Sequence, residues 1–139
     1  MARIMVVDDD AFIRGLLRRM LELKGYEVVE ANNGYEGLQQ YHAAPTDLVI
    51  TDIQMPVMDG LQMITELRGT FPTAKIIAIS GEKSRLAAAQ TFSQCTLEKP
   101  LYMEGFLDAV QKFVSAPGAS IYMLQPSALA AGHSVLGDA

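Results

Sequence analysis

The chain has 139 residues, enough for one domain with a single core, and carries a net charge of −5 on a composition that is 50% hydrophobic. That charge argues against a phosphate-binding basic surface, the lone Cys95 excludes an internal disulfide, and no run approaches the roughly 20 apolar residues of a membrane span. The apolar run after Met1-Ala2-Arg3 is too short for a signal peptide, so a reducing, cytoplasmic setting is expected, without membrane insertion or direct nucleic-acid contact.

Short apolar runs alternate with segments of helical period. Residues 4–7, "IMVV", read as strand one. A helix follows, with Phe12, Ile13, Leu16, Leu17, Met20 and Leu23 on one stripe, and Gly25 ends it. Residues 26–31 form strand two, 32–34 a break, and a short helix runs through Leu38 and Tyr41 before Pro45. Strand three spans 47–52, and helix three 60–68, with Leu61, Ile64 and Leu67 on one side. Strand four covers 75–80, an alanine-rich helix 82–92, strand five 95–98, and helix five 101–114.

Strand and helix alternate through the chain, which predicts a parallel sheet with helices on both faces. Runs one, three and four are almost purely apolar, as strands covered on both faces must be. Runs two and five carry Glu27, Glu30, Thr96 and Glu98, which suits sheet edges. The strand order that puts two and five at the edges is the flavodoxin-like 2-1-3-4-5, an α/β three-layer sandwich. Residues 115–139 differ: they are rich in small residues, and Asp138 is their only formal charge. They are expected to be a C-terminal tail or linker remnant outside a domain at 1–114. The tail reads as a linker remnant, a free end incidental to function, or a docking peptide; in the last case Ile121, Tyr122, Met123 and Leu124 would pack on a neighbouring subunit, as in a homodimer.

In such a sheet, ligands bind beyond the carboxyl ends of the strands, near the switch point between strands one and three. Strand one runs into Asp8-Asp9-Asp10, strand three ends in Asp52, strand four in Ser80, and strand five runs into Lys99-Pro100. Each has a bland reading alone: Asp10 caps a helix, Asp52 and Ser80-Gly81 form turns, Lys99 is a solvated charge, and Met55 and Met58 pack. Four such coincidences on one edge are improbable. Clustered carboxylates repel, so a cation must neutralise some of them or their pKa values rise. With neither His nor Cys in the cluster, a hard, oxygen-preferring ion such as Mg²⁺ fits, and zinc does not. Lys99 adds a point charge and Ser80 a hydroxyl, which completes the parts for phosphoryl transfer onto a carboxylate.

At this point "RIMVVDDD", "DLVITDIQMPVMDG", "AISGE" and "LEKPL" resemble the receiver domain of bacterial two-component response regulators, over about residues 3–114. The likeness is to the single-domain, chemotaxis-regulator type. It implies a signalling domain and not a turnover enzyme. Asp52 matches the phosphoacceptor, Asp9 the direct Mg²⁺ ligand, and Asp8 its neighbour acting partly through water. Gln54 would lend the metal its backbone carbonyl, while its side chain and that of Glu82 occupy the positions that tune dephosphorylation. Ser80 matches the switch hydroxyl and Lys99 the phosphate-contacting lysine, followed by a cis peptide bond to Pro100. The implied partners are a sensor histidine kinase or histidine phosphotransfer protein as donor, and a downstream protein target or output domain as reader.

One position departs from the family pattern. The residue three before the lysine is usually an aromatic that turns inward on activation; here it is Thr96, preceded by "FSQC" where Gly-Ala is usual. Switching is therefore expected to rely on Ser80, the loop after strand four and the helix that follows. Two other readings compete: a receiver-like interaction module that needs no phosphorylation, and a haloacid-dehalogenase-type phosphatase with Asp8 as nucleophile and Asp10 as acid.

Overall fold

The computed structural model describes residues 1–115. Its elements are β1 (Arg3–Val7), α1 (Ala11–Leu23), β2 (Glu27–Ala31), α2 (Gly34–Ala43), β3 (Leu48–Asp52), α3 (Gly60–Thr70), β4 (Ile76–Ser80), α4 (Lys83–Ala89), β5 (Cys95–Glu98) and α5 (Met103–Ser115). The five strands pair in parallel in the order β2-β1-β3-β4-β5. Of the expected tail only Ser115 is described, as the last residue of α5; Ile121, Tyr122, Met123 and Leu124 lie outside the described residues.

The apolar runs explain the layering. Residues of β3 and β4 are buried throughout, as the middle of a doubly covered sheet requires. Successive side chains point to opposite faces, so Ile4, Val6, Ile50 and Ile77 meet α1 and α5 through Leu17, Leu21, Phe106 and Val110. Met5, Val7, Val49 and Ala78 meet the other helices through Met63, Ile64, Leu67 and Leu86. Each fully buried side chain such as Leu21 or Ile64 contributes roughly 1.5–3 kcal/mol. The helix starts are set by short polar caps: Asp10 accepts from the N–H groups of Phe12 and Ile13, Asn33 from Glu36, and Asp59 from Gln62.

Three helices differ from the expected spans, the first being α3, which runs past Arg68 to Thr70. The alanine-rich helix ends at Ala89 and does not reach Phe92. The Ser93 hydroxyl donates to the carbonyl of the last helical residue, Ala89, at 2.7 Å, and beyond the helix the Arg68 guanidinium donates to the Phe92 carbonyl at 2.9 Å. Helix α5 begins at Met103 and not at Leu101, because the Tyr102 carbonyl already accepts the first helical bond, from Phe106 at 2.9 Å. Thr96 is also not an exposed edge residue: β5 lies at the edge, yet Thr96 is 1% exposed. Cys95 and Leu97 face α5, so Thr96 points to the opposite side, the one covered by α4.

Candidate functional site

The register of the central strands builds the site. Val7 pairs with Thr51, so the next residues, Asp8 just past β1 and Asp52 at the end of β3, come side by side. The carboxylate oxygens of Asp8, Asp9 and Asp52 lie within 4.8 Å of one another. Asp8 is almost wholly buried and tightly held: its N–H donates to Ala31 at 3.2 Å, and its Oδ1 accepts from the Asp10 N–H at 2.9 Å. Burial pushes the Asp8 carboxyl above its usual range; repulsion from Asp52 and Asp9 adds to the rise, while the Asp10 N–H and Lys99 oppose it. Asp10 itself caps α1 and stands outside the cluster, as its position suggested.

Asp52 is 7% exposed and held at both oxygens. Its Oδ1 accepts from the Gln54 N–H at 3.1 Å, and its Oδ2 meets Lys99 Nζ at 2.9 Å. Lys99 is anchored in turn, its own N–H donating to the Ser80 carbonyl at 2.9 Å, and its bond to Pro100 is cis. Burial alone would lower the Lys99 ammonium, but the hydrogen bond and attraction of Asp52, with Asp8 and Asp10 adding, outweigh it and hold the group above its usual value.

Ser80 is fully buried, and its Oγ accepts from the Glu82 N–H at 3.0 Å. Glu82 bridges two neighbours, taking a hydrogen bond from Gln54 Nε2 at 3.0 Å and pairing with Arg85 at 2.9 Å. The two expected tuning positions therefore touch each other directly. Thr96 sits one strand further out, beside Ala78 in the sheet.

The turn after Asp52 contains two features that the sequence only hinted at. Gly60 is a glycine because a Cβ there would collide with the Asp52 carbonyl; its N–H closes the loop onto Ile53 at 2.8 Å. Val57 has φ 72°, and the Met58 N–H donates to the Pro56 carbonyl across it, a positive-φ γ-turn that strains a β-branched residue. Met55 is buried in the core and Met58 packs against it, so both are packing residues. Motif reading also passed over Arg14, which contacts the Asp8 carbonyl; its partners are far away in sequence, so no spacing could have signalled it.

The donor set fits a hard divalent cation. Three carboxylates face one ammonium, Lys99, which leaves an excess of negative charge, and among the described residues no His or Cys joins them. Asp9 is exposed and open to solvent, whereas Asp8 and Asp52 supply the buried wall. Beside this crevice, an apolar groove of about 550 Å³ is lined by Ile13, Leu16, Met20 and Leu101, with Lys99 and Pro100.

Comparison with known proteins agrees with the geometry. The family model of the response regulator receiver domain matches residues 4–111. Chemotaxis protein CheY of Bacillus subtilis is 37% identical over 114 residues, which span 79% of this chain and 95% of that protein. Response regulator MprA of Mycobacterium tuberculosis is 36% identical over 108 residues, 76% of this chain but only 47% of MprA. Among solved structures, response regulator protein TrrA from Thermotoga maritima in complex with Mg(2+)-BeF superposes with a TM-score of 0.77 at 34% identity, covering 81% of this chain and 99% of that one. The flavodoxin-like strand order, the three-carboxylate crevice and these matches agree, and the chain belongs to the response regulator receiver domain family, whose members are signalling proteins of two-component systems and not turnover enzymes.

Proposed function

We propose that this chain accepts a phosphoryl group on Asp52 from a phosphohistidine, carried by a sensor histidine kinase or a histidine phosphotransfer protein. The observation that carries the reading is the 2.9 Å contact of Lys99 with Asp52 inside a cluster of three carboxylates. An Asp52 carboxylate oxygen attacks phosphorus; the new P–O bond forms as the P–N bond breaks, and the imidazole leaves and takes up a proton. The Gln54 N–H and Lys99 hold the carboxylate in one orientation for this attack. Asp9, Asp8, Asp52 and the Gln54 carbonyl are the groups that would hold Mg²⁺, which when bound offsets the negative charge of the acids and of the incoming phosphoryl group.

The product adds strong acceptor oxygens beside Lys99 and Ser80. If the Ser80 hydroxyl turns to donate to them, Glu82 loses the acceptor of its N–H, and the loop after β4 must adjust. That loop leads into α4, which starts without a side-chain cap, while its far end is tied through Ser93 and Arg68. A shift would therefore be greatest at the start of α4 and smallest at its end. Thr96 lies under this helix and lacks the bulk of an aromatic switch, so Ser80 carries the signal.

The donor protein must bring phosphorus to Asp52, and the apolar groove next to Lys99 is the surface suited to receive it. A downstream protein or output domain would read the α4 side. Residues 1–114 would be the receiver and the remainder a tail or linker. No helix among the described residues is long and apolar enough to cross a membrane, and a cytoplasmic location fits a reduced Cys95. Neither rival explains why Lys99, Asp52 and two further acids converge, and Lys99 bonds to the Asp52 carboxylate and not to that of Asp8. The test is intact-mass measurement after incubation with acetyl phosphate and Mg²⁺. One phosphate should be gained by the native chain and none by Asp52→Asn; a chain that never gains mass would favour the phosphorylation-independent module.

A further inference from the structure

The acidic loop between β1 and α1 is fixed from an unexpected side. Arg14, on the first turn of α1, sends Nη1 to the Asp8 carbonyl at 2.6 Å and reaches Asn32 Oδ1 at 3.3 Å, while its Nε donates to Glu30 at 2.7 Å. Glu30 is held from its other oxygen by Arg18, also at 2.7 Å. The chain of contacts runs from the surface of α1, through β2, to the backbone of the residue that begins the acid cluster. The ladder between β1 and β2 ends at Val7, so the Asp8 carbonyl lies beyond the last paired residue of the strand. Its peptide plane, which also sets the direction of Asp9, is held by the guanidinium.

We propose that Arg14 is a positioning residue for the cation site, an inference that rests on the reading of Asp8 and Asp9 as metal-binding groups. Arg14 fixes the Asp8–Asp9 peptide so that the exposed Asp9 carboxylate stays with those of Asp8 and Asp52. A lysine would not substitute, because the function needs a rigid fork that holds Glu30 and the Asp8 carbonyl at once. Glu30 is pushed below the usual carboxylate range by hydrogen bonds from Arg18 and then Arg14, which keeps the anchor charged. Charge and positioning make opposite predictions here. A guanidinium this close should repel a divalent ion, so deleting it would tighten binding if charge alone mattered. Positioning predicts weaker binding.

The experiment is calorimetric titration of the full chain with Mg²⁺, supported by amide chemical shifts of Asp8 and Asp9 and by thermal melting. Native chain should bind; Arg14→Met should bind about tenfold more weakly, as is typical when a group orienting a ligand is removed. Arg14→Lys should weaken binding in the same direction and provides the test should the methionine variant not fold. Arg18→Met, which also loses a bond to Glu30 but does not touch Asp8, should keep native Mg²⁺ affinity. Equal or tighter binding by the Arg14 variants, or equal weakening in Arg18→Met, would overturn the proposal. If native chain itself does not bind Mg²⁺, the metal reading of the acid cluster falls and this inference falls with it.

Discussion

The two loops that flank Asp52 are built differently. On the β1 side, the acids on either side of the exposed Asp9 are tied down: Asp8 by Ala31, Asp10 and Arg14, Asp10 by the start of α1, and the Asp8 carbonyl by the Arg14–Glu30–Arg18 chain. On the β4 side, the Ser80 hydroxyl, Gln54 and Arg85 converge on one exposed residue, Glu82, before a seven-residue helix without a side-chain cap. The first loop has the rigidity that a charge-binding site requires; the second can trade a few hydrogen bonds for others at small cost. On the proposed reading, one side of the crevice binds and the other responds.

That contrast can be broken experimentally. The largest effect is expected at Lys99, which joins the two sides through Asp52 and the Ser80 carbonyl. Lys99→Ala should slow phosphorylation by acetyl phosphate by about a hundredfold, measured as the rate of mass gain, because a donor preorganised toward developing charge is lost. Ser80→Ala should separate the two halves. Phosphorylation should persist, while the amide shifts that beryllofluoride induces at the start of α4 should shrink to a small fraction of native. Retained α4 shifts in this variant, or native shifts that spare α4, would place the response elsewhere.

Smaller effects test the rigid side and the turn. Glu30 has a folded pKa below its ordinary value of 4.5, so its contribution to stability is present above that pH and fades as pH falls through the folded value. Glu30→Gln should flatten the acid limb of the stability–pH curve in chemical denaturation. Val57 is exposed and strained at φ 72°, and glycine adopts that conformation freely. Val57→Gly should raise stability by up to about 1 kcal/mol, less the extra entropy that glycine gives the unfolded chain. A marked loss would show that the valine side chain makes a contact that outweighs the strain.

Much of this molecule was legible before its structure. The purity of the apolar runs at residues 4–7, 48–51 and 76–79 put three strands in the middle, and the polar residues of the other two put them at the edges. The carboxyl-end rule then brought Asp8 and Asp9, Asp52, and Lys99 to one crevice from three distant places. What stayed hidden were side chains that bond to backbone far along the chain. Arg68 was read as the end of a helix, yet it is 2% exposed and serves the carbonyls of Pro72, Ala74 and Phe92. Gln94, part of the unusual "FSQC", accepts from the Ile76 N–H at 2.7 Å and donates to Ala74 at 3.1 Å, so it ties α3, β4 and the segment before β5 together. No period or motif encodes such a node. Thr96 marked strand five as an edge, as observed, but its own burial, 1% exposed, had no signal in the sequence.

The most direct test is to locate the phosphate. After reaction with acetyl phosphate and Mg²⁺, borohydride reduction converts an aspartyl phosphate to homoserine, and peptide sequencing by mass spectrometry finds the changed residue. The account predicts homoserine at Asp52 and at no other acid. Homoserine at Asp8 or Asp9, or a chain that forms none, would contradict it.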